Sequence, residues 1–235
     1  MPEIRFDLRA GGRTTSVLVT VPAEPIRPVD LLPVLNEVND AVIGLAVQGR
    51  CVSCRDGCGA CCRQMVPISE IEARYLADLI AAMPDEQRAR VKERFAEAVA
   101  TLRDRGLLDL PSDPAERHRL GMEYFRLGLP CPFLKDESCA IYQHRPASCR
   151  EYLVTSPAAK CSAPTGEDIQ MVALPAKLSQ VLYRFGGGQA EADARWMPLP
   201  LLLEWAAEHR DDPQPAFPGA ELLRGFMSRL TGAAT

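Results

Sequence analysis

The sequence predicts a mainly α fold with a small N-terminal β-hairpin and irregular, cysteine-bearing loops. Three observations predict it. Apolar residues recur at helical spacing in several separate stretches. One early stretch alternates apolar and polar residues instead. The nine cysteines gather in two segments rich in glycine and proline rather than in the periodic ones.

The alternating stretch is residues 3–21, EIRFDLRAGGRTTSVLVTV, folded back at Gly11-Gly12 and ended by Pro22. From Asp30 to Gln48 the period becomes helical, with Leu31, Leu32, Val34, Leu35, Val38, Val42 and Leu45 on one broad face and Asp30 as the expected N-cap. Ser69 and Glu72 form a capping box ahead of Ile71, Tyr75, Leu76, Leu79 and Met83, and Pro84 ends that helix. Asp85 to Arg105 carry the stripe Val91, Phe95, Val99 and Leu102, closed by Gly106. Asp113-Pro114 begins a further helix running towards Gly128, and Pro146 a short one. Three helices follow: one with Leu178, Val181, Leu182 and Phe185, one from about Pro200 to His209, and one with Leu222, Leu223, Phe226, Met227 and Leu230. GGGQ at 186–189 and DDPQP at 211–215 read as linkers. The expected organisation is one domain over 1–235: hairpin and helix in 1–50, a cysteine region in 51–161 with a helical insertion at 66–128, and C-terminal helices in 162–235.

Bulk properties narrow the function. A net charge of −4 gives no basic excess for nucleic acid. No apolar run reaches the length of a membrane span, and the first residues lack a signal-peptide core, so the expected partners exclude membrane and the expected location is the cytoplasm. Thiols stay reduced there, and nine cysteines, an odd number and under 4% of the chain, do not suit a disulfide scaffold.

Residues 51–64, CVSCRDGCGACCRQ, place five cysteines in twelve positions. Cys51 with Cys54, and Cys58 with Cys61, have the C-x2-C spacing that turns two thiolates towards one point. Gly57 and Gly59 flank Cys58, where positive φ or a close backbone approach is expected. Cys61-Cys62 is different, because adjacent side chains diverge. Such a pair suits two neighbouring sites or a polynuclear centre. If residues 58–62 make a helical turn, Cys58, Cys61 and Cys62 share a face. The second segment, 131–161, supplies Cys131, Cys139, Cys149 and Cys161. Five cysteines among Arg55, Asp56 and Arg63 are no hydrophobic core, so the loops are expected to be metal-stabilised. A thioredoxin-like dithiol lacks its strand and long helix. A zinc ribbon needs knuckles farther apart, and the ferredoxin run is similar in density but not identical. Thiolate-only ligation suits zinc and iron–sulfur alike. His144 is expected to hydrogen-bond beside the site, Tyr142 and Tyr152 to be core or rim residues, and Met65, Met122 and Met197 to pack. Arg55, Arg63, Arg145 and Arg150 are available to offset thiolate charge.

C-x3-C-x2-CC (Cys54, Cys58, Cys61, Cys62), CPFL at 131–134 and C-x-IY-x-x-RP-x-x-CR-x-Y at 139–152 together resemble the YkgJ-like cysteine-cluster family. That family is described as a zinc- or iron-chelating domain, and some members are labelled iron–sulfur oxidoreductases. The resemblance implies a ligand set of Cys54, Cys58, Cys61, Cys62, Cys131, Cys139, Cys149 and Cys161, with Cys51 as an extra. Flagellin lysine methylases carry a related cluster but are larger, and no glycine-rich methyl-donor signature is present here. The function expected is a cysteine-ligated metal-binding protein holding an iron–sulfur or other multinuclear thiolate centre, the adjacent pair favouring more than one metal. The alternatives are a metal-dependent or redox enzyme, of iron–sulfur oxidoreductase or protein-modifying type, and a structural zinc-binding protein. No Ser–His–Asp set, paired carboxylates or phosphate loop points to a reaction, and the cofactor expected is iron–sulfur or iron, with zinc as the alternative.

Overall fold

A computed structural model describes residues 2–111 except 11 and 12, then 113–163, 168–185 and 195–232. The Gly11-Gly12 turn and the GGGQ segment lie outside these residues. The protein is mainly helical, with eight α-helices among the described residues and one N-terminal strand pair.

Strands β1 (Glu3–Ala10) and β2 (Arg13–Thr20) pair antiparallel from Glu3 opposite Thr20 to Ala10 opposite Arg13. Alternation sends Leu8, Val17 and Val19 inwards onto α1 (Leu32–Val47), where Leu35, Val38 and Val42 are buried. Asp30 is not the N-cap expected of it. A 3₁₀ turn, Pro28–Leu31, leads into α1, and proline starts it early. Asp30 becomes the third residue of that turn and accepts from the Arg27 backbone N–H at 3.1 Å and from its guanidinium at 2.7 and 2.9 Å.

Two cores result. The first joins the hairpin and α1 to α6 (Leu178–Leu182) and α8 (Gly219–Thr231), with Phe185 edge-on to Phe226. The second joins α2 (Glu70–Ala81), α3 (Asp85–Asp104) and α7 (Leu202–Glu208) to Phe133 and Ile141, with Phe95 edge-on to Phe133. Helix α4 (Pro114–Arg126) contributes Leu120 and Tyr124, and Asp113 caps it as expected by accepting from the Glu116 N–H at 2.9 Å. Gly106 and Gly128 take positive φ beyond the ends of α3 and α4. A 3₁₀ turn, Leu199–Leu201, precedes α7, so this helix begins two residues after the expected Pro200.

Three very short antiparallel pairings hold distant segments together. Strand β3 (Pro25–Ile26) meets β8 (Phe217–Pro218), and β4 (Pro67–Ser69) meets β7 (Trp196–Pro198). Strands β5 (Leu134–Lys135) and β6 (Ser138–Cys139) form a tight hairpin through Asp136 and Glu137, both with positive φ. Two or three residues carry no readable period, so the sequence does not announce them.

Between the cores, the buried Glu72 carboxylate accepts from the Ser69 N–H and hydroxyl, both at 2.8 Å, and from the Ala147 N–H at 2.7 Å. It closes the capping box of α2 and fixes the start of α5 (Ala147–Glu151). That second bond places the cysteine-bearing helix.

Candidate metal centre

The first cysteine segment is irregular because its backbone bonds are made one at a time. The Ser53 N–H reaches the Val154 carbonyl at 2.9 Å, and the Cys58 N–H reaches the Arg55 carbonyl at 3.2 Å. Gly57 has φ +80°, a left-handed value that side chains rarely adopt. Gly59 supplies the close approach instead. A Cβ there would lie 2.6 Å from Glu137 Oε2 and 3.0 Å from the Glu137 carbonyl oxygen. Both expectations for the glycines beside Cys58 are met.

Residues Ala60–Arg63 form a 3₁₀ turn that carries Cys61 and Cys62 but leaves Cys58 outside it. The single helical face expected for Cys58, Cys61 and Cys62 is therefore not formed, because the glycine-flanked turn at Cys58 separates it from the helical residues. Arg63 leaves this turn to grip Glu137 through two bonds of 2.6 and 3.0 Å, docking the β5–β6 hairpin. Beneath that grip the Cys131 N–H donates to the Cys62 carbonyl at 2.7 Å. Cys139 lies on β6 opposite Leu134, Cys149 within α5, and Cys161 in a 3₁₀ turn, Ala158–Ser162, packed against the turn of Cys61 and Cys62.

The outcome is one cavity of about 330 Å³ whose wall includes Cys54, Cys58, Cys61, Cys62, Cys131, Cys139, Cys149 and Cys161. These are the eight cysteines that the family resemblance implies. Cys51 is exposed and is not on this wall. As placed, no three described His, Cys, Asp or Glu side chains converge closely enough to clasp an ion. The thiols stand around a shared space.

Burial governs their acidity. It pushes Cys131 up to about 12 and Cys149 well above the ordinary thiol value. Both expose only part of their surface, at the cavity, and are otherwise enclosed by protein. Burial likewise raises Cys54, Cys139 and Cys161. Cys61 is raised first by a hydrogen bond with Cys62 and then by burial. Arg145 opposes the trend, its charge lowering Cys54, Cys61, Cys139 and Cys149. Of the four arginines expected to offset thiolate charge, Arg145 reaches these four thiols. Arg63 serves Glu137, while Arg150 binds Asp40 at 3.0 Å and the carbonyl of Arg145. Arg55 also lines the cavity.

The remaining expectations divide. His144 does hydrogen-bond, with Nδ1 2.7 Å from the Tyr75 hydroxyl. Tyr142 and Tyr152 line the cavity, and the Tyr152 hydroxyl accepts from Gln64 Nε2 at 3.2 Å. Met197 is buried in the second core, whereas Met65 lines the cavity. One part of the wall escapes sequence reasoning: Ser148 and Glu151 of α5 with Lys177, Ser179, Gln180 and Tyr183 in and around α6. Ser148 Oγ lies 2.7 Å from the Tyr183 hydroxyl and donates to the Pro67 carbonyl at 2.9 Å. Glu151 accepts from the Ser179 hydroxyl at 2.6 Å and its N–H at 3.0 Å. These are single polar residues on short helices, with no spacing that marks them.

The donor set fits thiophilic metals. Eight thiols, with no histidine among the described residues of the wall, favour zinc or iron–sulfur over magnesium or calcium. No curated protein and no solved structure shows significant similarity to the chain. Residues 53–167, just under half of the chain, match the family model CxxCxxCC, described as a "putative zinc- or iron-chelating domain". The match begins just before Cys54, ends just beyond Cys161 and encloses the cavity's eight cysteines. Over this segment the chain matches the family that its cysteine pattern resembles.

Proposed function

We propose that the protein holds a polynuclear thiolate centre, iron–sulfur or another multinuclear form, with Cys54, Cys58, Cys61, Cys62, Cys131, Cys139, Cys149 and Cys161 as ligands. The supporting observation is that these eight thiols, drawn from segments up to 107 residues apart in sequence, stand on the wall of one cavity. Eight soft donors exceed what one tetrahedral ion uses. Loading requires deprotonation, so burial of the thiols ties metal uptake to proton release and metal binding to folding. The metal supplies the charge that holds buried thiolates together, and Arg145 reduces the excess negative charge.

A second reading, a metal-dependent or redox enzyme, draws support from the polar wall of Ser148, Glu151, Ser179 and Tyr183 beside the thiols. A purely structural site needs no such wall. The chain's own groups there are oriented by one another and by the Pro67 carbonyl, which suits them to positioning a small polar molecule.

Anaerobic purification followed by iron, zinc and acid-labile sulfide analysis, with an absorption spectrum, tests the main reading. More than one metal per chain, lost when cavity cysteines are replaced but retained in Cys51→Ala, is expected. A folded chain that takes up no metal, or only one ion, overturns it.

A further inference from the structure

Part of the cavity wall carries no thiol. Lys177, Ser179, Gln180 and Tyr183 form it in and around α6, with Ser148 and Glu151 of α5. This part is graded in depth. Glu151, Ser179 and Tyr183 are buried, whereas Lys177 and Gln180 are exposed at the mouth, as is Met171.

The buried groups have spent their protons. The Ser148 and Tyr183 hydroxyls hold two protons for three contacts: 2.7 Å to each other, and 2.9 and 3.3 Å to the Pro67 carbonyl. No proton is left for the cavity, so the pair offers lone pairs only. The Ser179 hydroxyl and N–H are likewise given to Glu151, at 2.6 and 3.0 Å, and a carboxylate accepts. A molecule meeting these groups must donate to them.

At the mouth the chemistry is reversed. Arg55 and Lys177 are exposed, can only donate, and have no side-chain hydrogen bond or ion pair with a described residue. Asp56, also on the wall, follows Arg55 directly and balances its charge, but Lys177 has no acid within eight residues in sequence. One such cation suits a singly charged carboxylate better than a doubly charged phosphate. Lys177 stands two residues before Ser179, so the anionic group and the donor that meet them lie close together on the ligand. Apolar Met65, Val66, Leu153 and Leu199 complete the lining, and about 330 Å³ is at the small end for a small-molecule site.

We propose that this part of the cavity binds a small carboxylate bearing a hydroxyl or amine on the adjacent carbon and an apolar tail. The carboxylate pairs with Lys177, and the hydroxyl or amine donates to the Ser148–Tyr183 pair and Glu151. This rests on the second reading above and gives its small polar molecule a chemical class.

The test is isothermal titration of the anaerobically purified full chain with four probes of one carbon skeleton: leucine, 2-hydroxyisocaproate, 4-methylpentanoate and leucinol. Leucine, 2-hydroxyisocaproate or both are expected to bind. The other two should bind at least about tenfold more weakly, since 4-methylpentanoate lacks the donor and leucinol the carboxylate. The tighter of the first two identifies the donor as amine or hydroxyl. Lys177→Gln is expected to weaken binding by about tenfold. Tyr183→Phe should erase the preference over 4-methylpentanoate, and Lys92→Gln on α3 should change nothing. Circular dichroism checks folding, and Lys177 is exposed, so its variant tests the site even where Tyr183→Phe fails to fold. Equal affinities for all four probes, or no binding by the folded chain, overturns the site. So does binding that folded Lys177→Gln leaves unchanged, which indicates chelation of the metal alone. Mass spectrometry of the probes separates the two readings. A probe bound as stated but recovered unaltered keeps the site and withdraws its support from an enzyme. Turnover without this binding pattern keeps the enzyme and defeats the site.

Discussion

The guanidinium carbon of Arg145 lies 3.7 Å from the centroid of the Tyr142 ring, and its Nε donates to the Tyr142 carbonyl at 3.1 Å. The stacked side chain is thereby fixed with its charge directed at the thiols. Stacking and a defined fork are properties of arginine that lysine does not reproduce.

Replacing Arg145 with alanine removes the cation that lowers four of the thiols. Metal affinity is expected to fall by about tenfold, the lower end for a supporting group around a metal site. Burial keeps these thiols protonated near neutrality with or without Arg145, so the same protons are displaced and the deficit is expected to stay nearly constant with pH below the thiol range. Competition with a chromophoric chelator between about pH 6.5 and 8.5 measures it. A deficit that changes strongly across this range, or no deficit, would contradict this role.

Gly59→Ala pushes a methyl group against the Glu137 carbonyl, which is backbone and cannot swing aside. The expected cost is about 1–3 kcal/mol, the range for overpacking. Thermal melting should show it as a fall of several degrees. Metal content should fall with it, because the same contact seats the hairpin that carries Cys139 and follows directly on Cys131.

Glu72 tests the bridge between the cores. Glu72→Ala strips the acceptor from the buried Ser69 and Ala147 N–H groups and is expected to cost on the order of 3 kcal/mol. Burial, outweighing these hydrogen bonds, raises this carboxyl above its ordinary value. A raised acid binds its proton more tightly when folded, so its contribution is full below the ordinary carboxyl range and is lost as pH rises through the raised value. Melting temperature against pH for wild type and Glu72→Gln measures this. The wild type should lose stability relative to the variant as pH rises above about 4.5.

Asn39 on α1 is fully buried, and neither amide atom has a hydrogen-bond partner among the described residues. Asn39→Leu fills the same volume without the polar cost. It is expected to stabilise by about 1 kcal/mol, roughly 2–4 °C in melting temperature. A lower melting temperature would show that the amide is satisfied in solution.

What was legible in the sequence follows the physics of pattern. The helical stripe Val91, Phe95, Val99 and Leu102 is buried as its spacing requires, and Ser69 with Glu72 closes its capping box. Cys54, Cys58, Cys61 and Cys62 were legible as a cluster because local spacing brings thiols together. Asp30 was misplaced because Pro28 opens a turn ahead of it, and neighbouring signals compete over one or two residues. The second role of Glu72, on the Ala147 N–H, was not legible, since nothing local to residue 72 points 75 residues ahead. The Ser148–Tyr183 pair was hidden for the same reason. Such contacts exist only after the chain has closed.

The pairing of β4 with β7 bears on how this protein can be divided. Pro67–Ser69 lies inside the family segment, but its partner Trp196–Pro198 lies beyond it, along with Met197, Leu199 and Leu202 of the same core. Ala147, next to Pro146 and Ser148 on the cavity wall, packs into a core otherwise built almost wholly from the N-terminal hairpin, α1, α6 and α8. Residues 53–167 are therefore not a transplantable cassette. Excised, they would leave open one side of each core and lose part of the cavity wall. The chain on either side is a mould that gives the thiols their shape.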